Sequence, residues 1–205
     1  MEAAPRTWPR RLHSLSGVVP VGAFLAFHLY TNSAALRGAD AYNEAARRLQ
    51  QFPLAIVFEI LVIALPLFFH GVYGLFLAAT EPPGGAGATL RRRALAVAQR
   101  VTGVVLFAFV LFHLWTARLV QIRDHGDLDL FRLMQAALAS PWIRAFYVVG
   151  ILSAAFHLAA GLWSFSRTWG LAESPRAQGA VAVAATAVFL ALSAIGMRSL
   201  WAFRL

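Results

Sequence analysis

Residues 17–29 read GVVPVGAFLAFHL and residues 103–114 read GVVLFAFVLFHL: an apolar run that starts on a glycine and carries Phe-His-Leu near its end, met twice in one chain. A second pair of stretches repeats as well, FHGVYGLF at 69–76 and FHLAAGLW at 156–163, each with a glycine one helical turn after its histidine. His28 precedes His70 by 42 residues and His113 precedes His157 by 44, and each connection holds a polar stretch ending near a proline, Pro53 or Pro141. The chain therefore reads as two similar hairpins in succession.

Working outward, the 205 residues are 60% hydrophobic with a mean hydropathy of +0.65, more apolar surface than a water-soluble fold of this size can hide. This is the composition of an integral membrane protein. Five stretches reach the roughly 20 residues needed to cross a hydrocarbon core: 14–32, 53–79, 95–119, 142–166 and 177–197. The fold expected is all-α, one transmembrane domain over 1–205, an integral membrane bundle of five helices. Parallel duplicated hairpins pack about an axis along the membrane normal, which sets the first helix opposite the third and the second opposite the fourth.

The basic start, Arg6, Arg10 and Arg11, ahead of an apolar run resembles a signal peptide, but the run is long and no small-residue cleavage site follows it. It reads as a retained first helix. All 18 basic residues are arginine and they cluster at the ends of the apolar stretches, which argues for membrane flanks in contact with lipid and against a nucleic-acid surface. Nine fall on each side of the membrane, so charge alone leaves orientation undecided. The connections 41–51 and 128–139 read as amphipathic helices lying on the membrane surface, with Asp40 and Asp127 as their expected N-caps.

An ionisable side chain inside an apolar helix demands a reason, and His28, His70, His113 and His157 each lie in a different span. A neutral imidazole offers one nitrogen lone pair to a metal, so four of them on four helices supply two axial pairs for two haem irons. The chain has no cysteine, which excludes covalent c-type attachment and a cysteine-ligated cluster and leaves b-type haem. At 1.5 Å rise per residue, His28 and His113 lie roughly 6–9 Å below the outer surface, and His70 and His157 about 25 Å below it. Depth thus pairs His28 with His113 at an outer level and His70 with His157 at an inner one, about 16 Å apart. The alternative for the set is hydrogen-bonded or proton-relaying histidines.

Gly74 and Gly161 share the histidine face of their helices and leave room there, either for a macrocycle or for a close helix neighbour. Glu59 is the only acidic residue inside a span and precedes His70 by 11 residues, near three turns, so it faces inward at about the outer level. It is a candidate for proton exchange with a quinone or for a hydrogen bond to a propionate or a neighbouring helix. His13 at the inner edge has no matched histidine and His125 falls in a polar loop; neither is expected to bind iron. His13 is read as contacting a propionate, a quinone or a partner subunit, or as snorkelling.

The segments RRLHSLSGVVPVG (10–22), LPLFFHGVYG (65–74), QRVTG (99–103) and GLWSFSRTWG (161–170) closely resemble the cytochrome b558 subunit of bacterial succinate dehydrogenases, the single-chain, five-helix, dihaem class. The resemblance implies a bacterial cytoplasmic membrane with the N-terminus inside and four axial histidines at His28, His70, His113 and His157. It also implies docking on an iron–sulfur subunit beneath an FAD flavoprotein, and a quinone, menaquinone in type, beside the outer haem. Electrons would run from succinate through the partner subunits to the inner haem, the outer haem and the quinone, with no dicarboxylate chemistry in this chain. Arg11, Ser14 and Arg100 lie near the inner level, as propionate partners or as interfacial anchors. The fumarate reductases of the class carry an acidic residue in the fifth helix, and this fifth helix has none.

Three other readings stand beside this one. The same subunit can serve a quinol:fumarate reductase; the dihaem subunit of nitrate reductase also uses five helices and four histidines; and a haem-free anchor or transporter could use the histidines to relay protons.

Overall fold

The computed structural model describes residues 8–85, 87–119 and 129–204, and among them every regular element is helical. Five helices are long and apolar enough to cross a membrane: Trp8–Arg37, Ala55–Thr80, Leu90–Ala117, Pro141–Thr168 and Pro175–Ala202. They fall on the five stretches expected from hydropathy, the second starting at Ala55 rather than 53 and the third ending at Ala117 rather than 119, and run past the other ends. In a hydrocarbon core such a helix satisfies its backbone N–H and C=O groups within its own segment.

Local signals explain where they start. Prolines open the fourth and fifth spans, where a missing N–H is harmless, and Ser174 Oγ accepts from Ala177 N at 3.1 Å. Thr89 caps the third span, its hydroxyl oxygen accepting from Arg92 N at 3.4 Å. The first span is broken between Val18 and Pro20, because Pro20 has no N–H to give the preceding turn. Gly17 and Gly103 are 86 residues apart, whereas His28 and His113 are 85 apart, so the first copy carries one residue more between glycine and histidine. Two spans also contain wider π-helical turns, Glu59–Ala64 and Leu114–Leu119.

The first span packs on the second and fourth, the third on the second and fourth, and the fifth on the first and fourth. The fourth is the hub and buries Tyr147, Gly150, Ser153, Ala155, Ala159 and Ser166, while the second and third bury no described residue. Small residues allow the close approaches: Gly196 faces Ile151, and Gly150 faces the Phe109 ring.

A cap closes the end read from the sequence as outer, where Phe131, Met134, Leu138, Tyr147, Leu200 and Phe203 form one apolar cluster with Tyr42 against it. Its surface helices are Ala39–Gln50 and Leu130–Ala139, close to the expected limits but capped differently. Gly38, at φ 99°, occupies the cap position of the first, which leaves Asp40 inside the first turn. Asp129 caps the second, accepting from Arg132 N at 3.0 Å, while Asp127 and His125 lie outside the described residues. Asn43 ties the helices together, donating to Asp129 Oδ1 at 2.8 Å and accepting from Phe131 N at 3.0 Å. At the inner end Arg10 pairs with Glu81, and Arg100 donates to the carbonyls of Ala78 and Glu81, covering the last turn of the second span.

Candidate functional site

The four intramembrane histidines meet in two pairs. The rings of His70 and His157 have centres 6.0 Å apart with planes at 88°, and those of His28 and His113 are 5.8 Å apart at 74°. Imidazole nitrogens bind first-row metals at about 2 Å, so two rings on opposite sides of one iron have centres about 6 Å apart. Among the described residues no three His, Cys, Asp or Glu side chains converge as a metal cluster. Two neutral imidazoles per level suit a macrocycle that brings four nitrogens of its own and needs only axial ligands. On separation and donor set, the residues fit haem.

At the inner level the backbone orients both rings. His70 Nδ1 lies 2.9 Å from the His13 carbonyl oxygen, and His157 Nδ1 lies 3.1 Å from that of Gln99. Each Nδ1–H can donate to a carbonyl, which leaves Nε2 with its lone pair for iron. One turn after each carbonyl stands a glycine, Gly17 against the His70 ring and Gly103 against His157, where an added Cβ would lie 3.1 Å from Cε1. Thr102 Oγ1 is a further contact to His157 Nδ1 at 3.3 Å, and Gln99 Nε2 donates to the His157 carbonyl at 3.1 Å.

Side chains do this work at the outer level. His113 Nδ1 is 3.1 Å from the Tyr147 hydroxyl, and Phe109 is stacked along the His113 ring at 5.9 Å. His28 differs from the other three, because it is Nε2 that Asn32 Nδ2 approaches, at 3.2 Å. An amide N–H and an iron cannot share that lone pair, so iron binding at His28 requires the ring or the amide to turn. Asn32 keeps two other bonds, donating to the His28 carbonyl at 2.7 Å and accepting from Tyr42 OH at 3.1 Å.

The structure gives the flanking residues specific places. Gly74 faces His13 Nε2 and Gly161 faces Gln99 Nε2, so each glycine makes room for a side chain of the neighbouring helix. Arg11 lies over the Trp169 ring at 5.5 Å, and Trp169 Nε1 donates to Ser14 Oγ at 3.0 Å, joining the first span to the end of the fourth. Glu59 is half-buried where the π turn of the second span begins.

His13 is the residue the sequence reading undervalued. Its ring lies flat on that of His70, centres 4.2 Å apart and planes within 2°. Its counterpart in the duplication is Gln99, 86 positions on, so a search for matched histidines passes over it. The usable signal is the spacing, His13 four residues before Gly17 and Gln99 four before Gly103. Arg11 Nε, His13 Nε2 and Gln99 Oε1 are buried without a hydrogen-bond partner among the described residues.

A five-helix membrane bundle with paired intramembrane histidines defines a class, and sequence comparison places the chain within it. Residues 93–196 match the family of succinate dehydrogenase/fumarate reductase transmembrane subunits. Over 194 residues the chain is 42% identical to the succinate dehydrogenase cytochrome b558 subunit of Bacillus subtilis (strain 168), covering 95% of each protein. The chain belongs to the succinate dehydrogenase/fumarate reductase transmembrane subunit family. That membership removes the nitrate reductase alternative.

Proposed function

We propose that this chain is the dihaem cytochrome b anchor of a succinate dehydrogenase, relaying electrons between an iron–sulfur subunit and membrane quinone, menaquinone in type. The observation that carries the reading is the pair of facing imidazoles at each of two levels, 6.0 and 5.8 Å between ring centres. Bound b-type haem supplies one-electron exchange between ferric and ferrous iron. His70 and His157 hold the inner iron in the four-helix core; His28 and His113 hold the outer one.

The other residues follow from their places. The His13 and Gln99 carbonyls keep the inner imidazoles in the tautomer that presents Nε2. Arg11, with its buried unpaired Nε, and Ser14 beside it serve the inner haem propionates, and Arg100 adds positive charge at that end. Glu59 exchanges protons at its carboxyl with quinone beside the outer level. The N-terminus faces the cytoplasm of a bacterial inner membrane, where an iron–sulfur subunit and an FAD flavoprotein dock. The family description also covers fumarate reductases, so the same relay can run in reverse.

A reduced-minus-oxidised spectrum of the purified complex tests the core of this reading. Two bis-histidine b haems per chain are expected, and absence of b-haem bands overturns it. Glu59→Gln is expected to impair quinone turnover with both haem spectra intact; normal quinone kinetics would remove Glu59 from the scheme.

A further inference from the structure

Tyr147 is 5% exposed in the outer cap cluster, and its hydroxyl lies 3.1 Å from His113 Nδ1. The phenol ring is fixed edge-on against Phe109, centres 5.2 Å apart at 87°, and Phe112, 6.4 Å apart at 76°. Phe109 in turn stacks on His113, centres 5.9 Å apart, so the three rings form a triangle in mutual contact. The imidazole therefore rests against a pair of touching aromatic rings, with the Tyr147 hydroxyl 3.1 Å from Nδ1. A hydroxyl inside a membrane needs partners, and here they are Thr116 and the ring that is paired with His28.

We propose that Tyr147 is the positioning residue of the outer haem: its oxygen accepts the Nδ1–H of His113, fixes which nitrogen faces the iron, and raises the basicity of that nitrogen. This rests on His28 and His113 binding the outer haem. When Nε2 gives its lone pair to a metal, Nδ1 must carry the proton and becomes a donor, and at 3.1 Å the phenol oxygen is in reach. The inner rings receive the same service from peptide carbonyls, which no substitution removes. Tyr147 is also unpaired in the duplication. The 87-residue offset between His70 and His157 maps it onto Ile60, which has no polar atom to offer His28.

A hydrogen bond from Nδ1–H makes the ligand more basic and favours ferric over ferrous iron. Tyr147→Phe keeps the ring and deletes the acceptor. In a potentiometric titration of the whole complex, the outer haem of Y147F should hold a few-fold to about tenfold higher ferrous:ferric ratio at a given potential. Tenfold is about +59 mV for one electron. The low-spin ferric EPR signal of that haem should move with it, and the inner haem should not change. Should Y147F fail to load haem, fluorinated tyrosine at 147 keeps shape and hydroxyl while weakening the acceptor, and a smaller shift of the same sign is expected.

Unchanged outer-haem potential and EPR signal in the loaded variants overturn the proposal, as does a shift confined to the inner haem. His113→Leu separates this failure from failure of the haem assignment. If that variant loses one haem while Y147F moves nothing, only the role of Tyr147 falls; if it retains both haems, the assignment itself falls.

Discussion

The inner and outer histidine pairs use the same residue type at nearly the same ring separation, 6.0 against 5.8 Å, yet different parts of the chain hold them. At the inner level, peptide carbonyls of His13 and Gln99 take the ring N–H groups, and glycines let the helices close to that range. At the outer level, Tyr147 and Asn32 make the contacts, and both belong to the polar and aromatic framework beneath the cap. A backbone anchor depends on helix spacing and is indifferent to side-chain identity; a side-chain anchor is the reverse. The inner site should therefore break when helix spacing is changed, and the outer site when single polar atoms are removed.

The largest effect is expected at Gly17. A methyl there would occupy the position of the His70 ring, so Gly17→Ala should abolish most of the inner-haem absorbance, measured by reduced-minus-oxidised spectra, and leave the outer haem in place. Gly103→Ala makes a milder contact, 3.1 Å from His157 Cε1, and should give partial loss at the same level. Equal loss in both variants, or loss of the outer haem, would show that the glycines do not set the inner spacing.

The histidine pairs were legible because a helix converts residue number into depth, and the apolar setting of His28, His70, His113 and His157 left few other roles for them. His13 was not legible in the same way. It anchors His70 through a carbonyl that every residue possesses, and its ring stacking depends on the exact rotation of two helices. The N-caps of the surface helices show a third limit. Asp40 and Asp127 were the expected caps, but Gly38 and Asp129 lie at the helix boundaries, a displacement of two residues in each case. The five spans themselves needed only hydropathy.

Smaller effects sharpen the contrast. Thr102→Val deletes the second contact to His157 Nδ1 and leaves the Gln99 carbonyl at 3.1 Å. Its inner-haem potential should stay within about twofold in ferrous:ferric ratio, less than one-third of the tenfold step that corresponds to 59 mV. A larger shift would mean that side chains also tune the inner site.

The smallest effect belongs to the outer cap. The Asn43 amide, followed by the Arg132 N–H, holds the exposed Asp129 carboxyl below the usual carboxylate range. Because the folded-state value is the lower one, its stabilisation is fully present at neutral pH and is lost as pH falls through that value, below about pH 4. Asp129→Asn should lower the melting temperature of the detergent-solubilised complex slightly at pH 7 and leave it unchanged in strong acid. An equal decrease at both pH values would assign the effect to lost packing.

Haem content per chain in the His70→Leu complex tests the two-level arrangement most directly. Two b haems in the native complex, and one in the variant with the outer-haem potential and EPR signal retained, are the predicted result. Retention of both haems, or loss of the outer one alone, would contradict the pairing of His70 with His157 and His28 with His113.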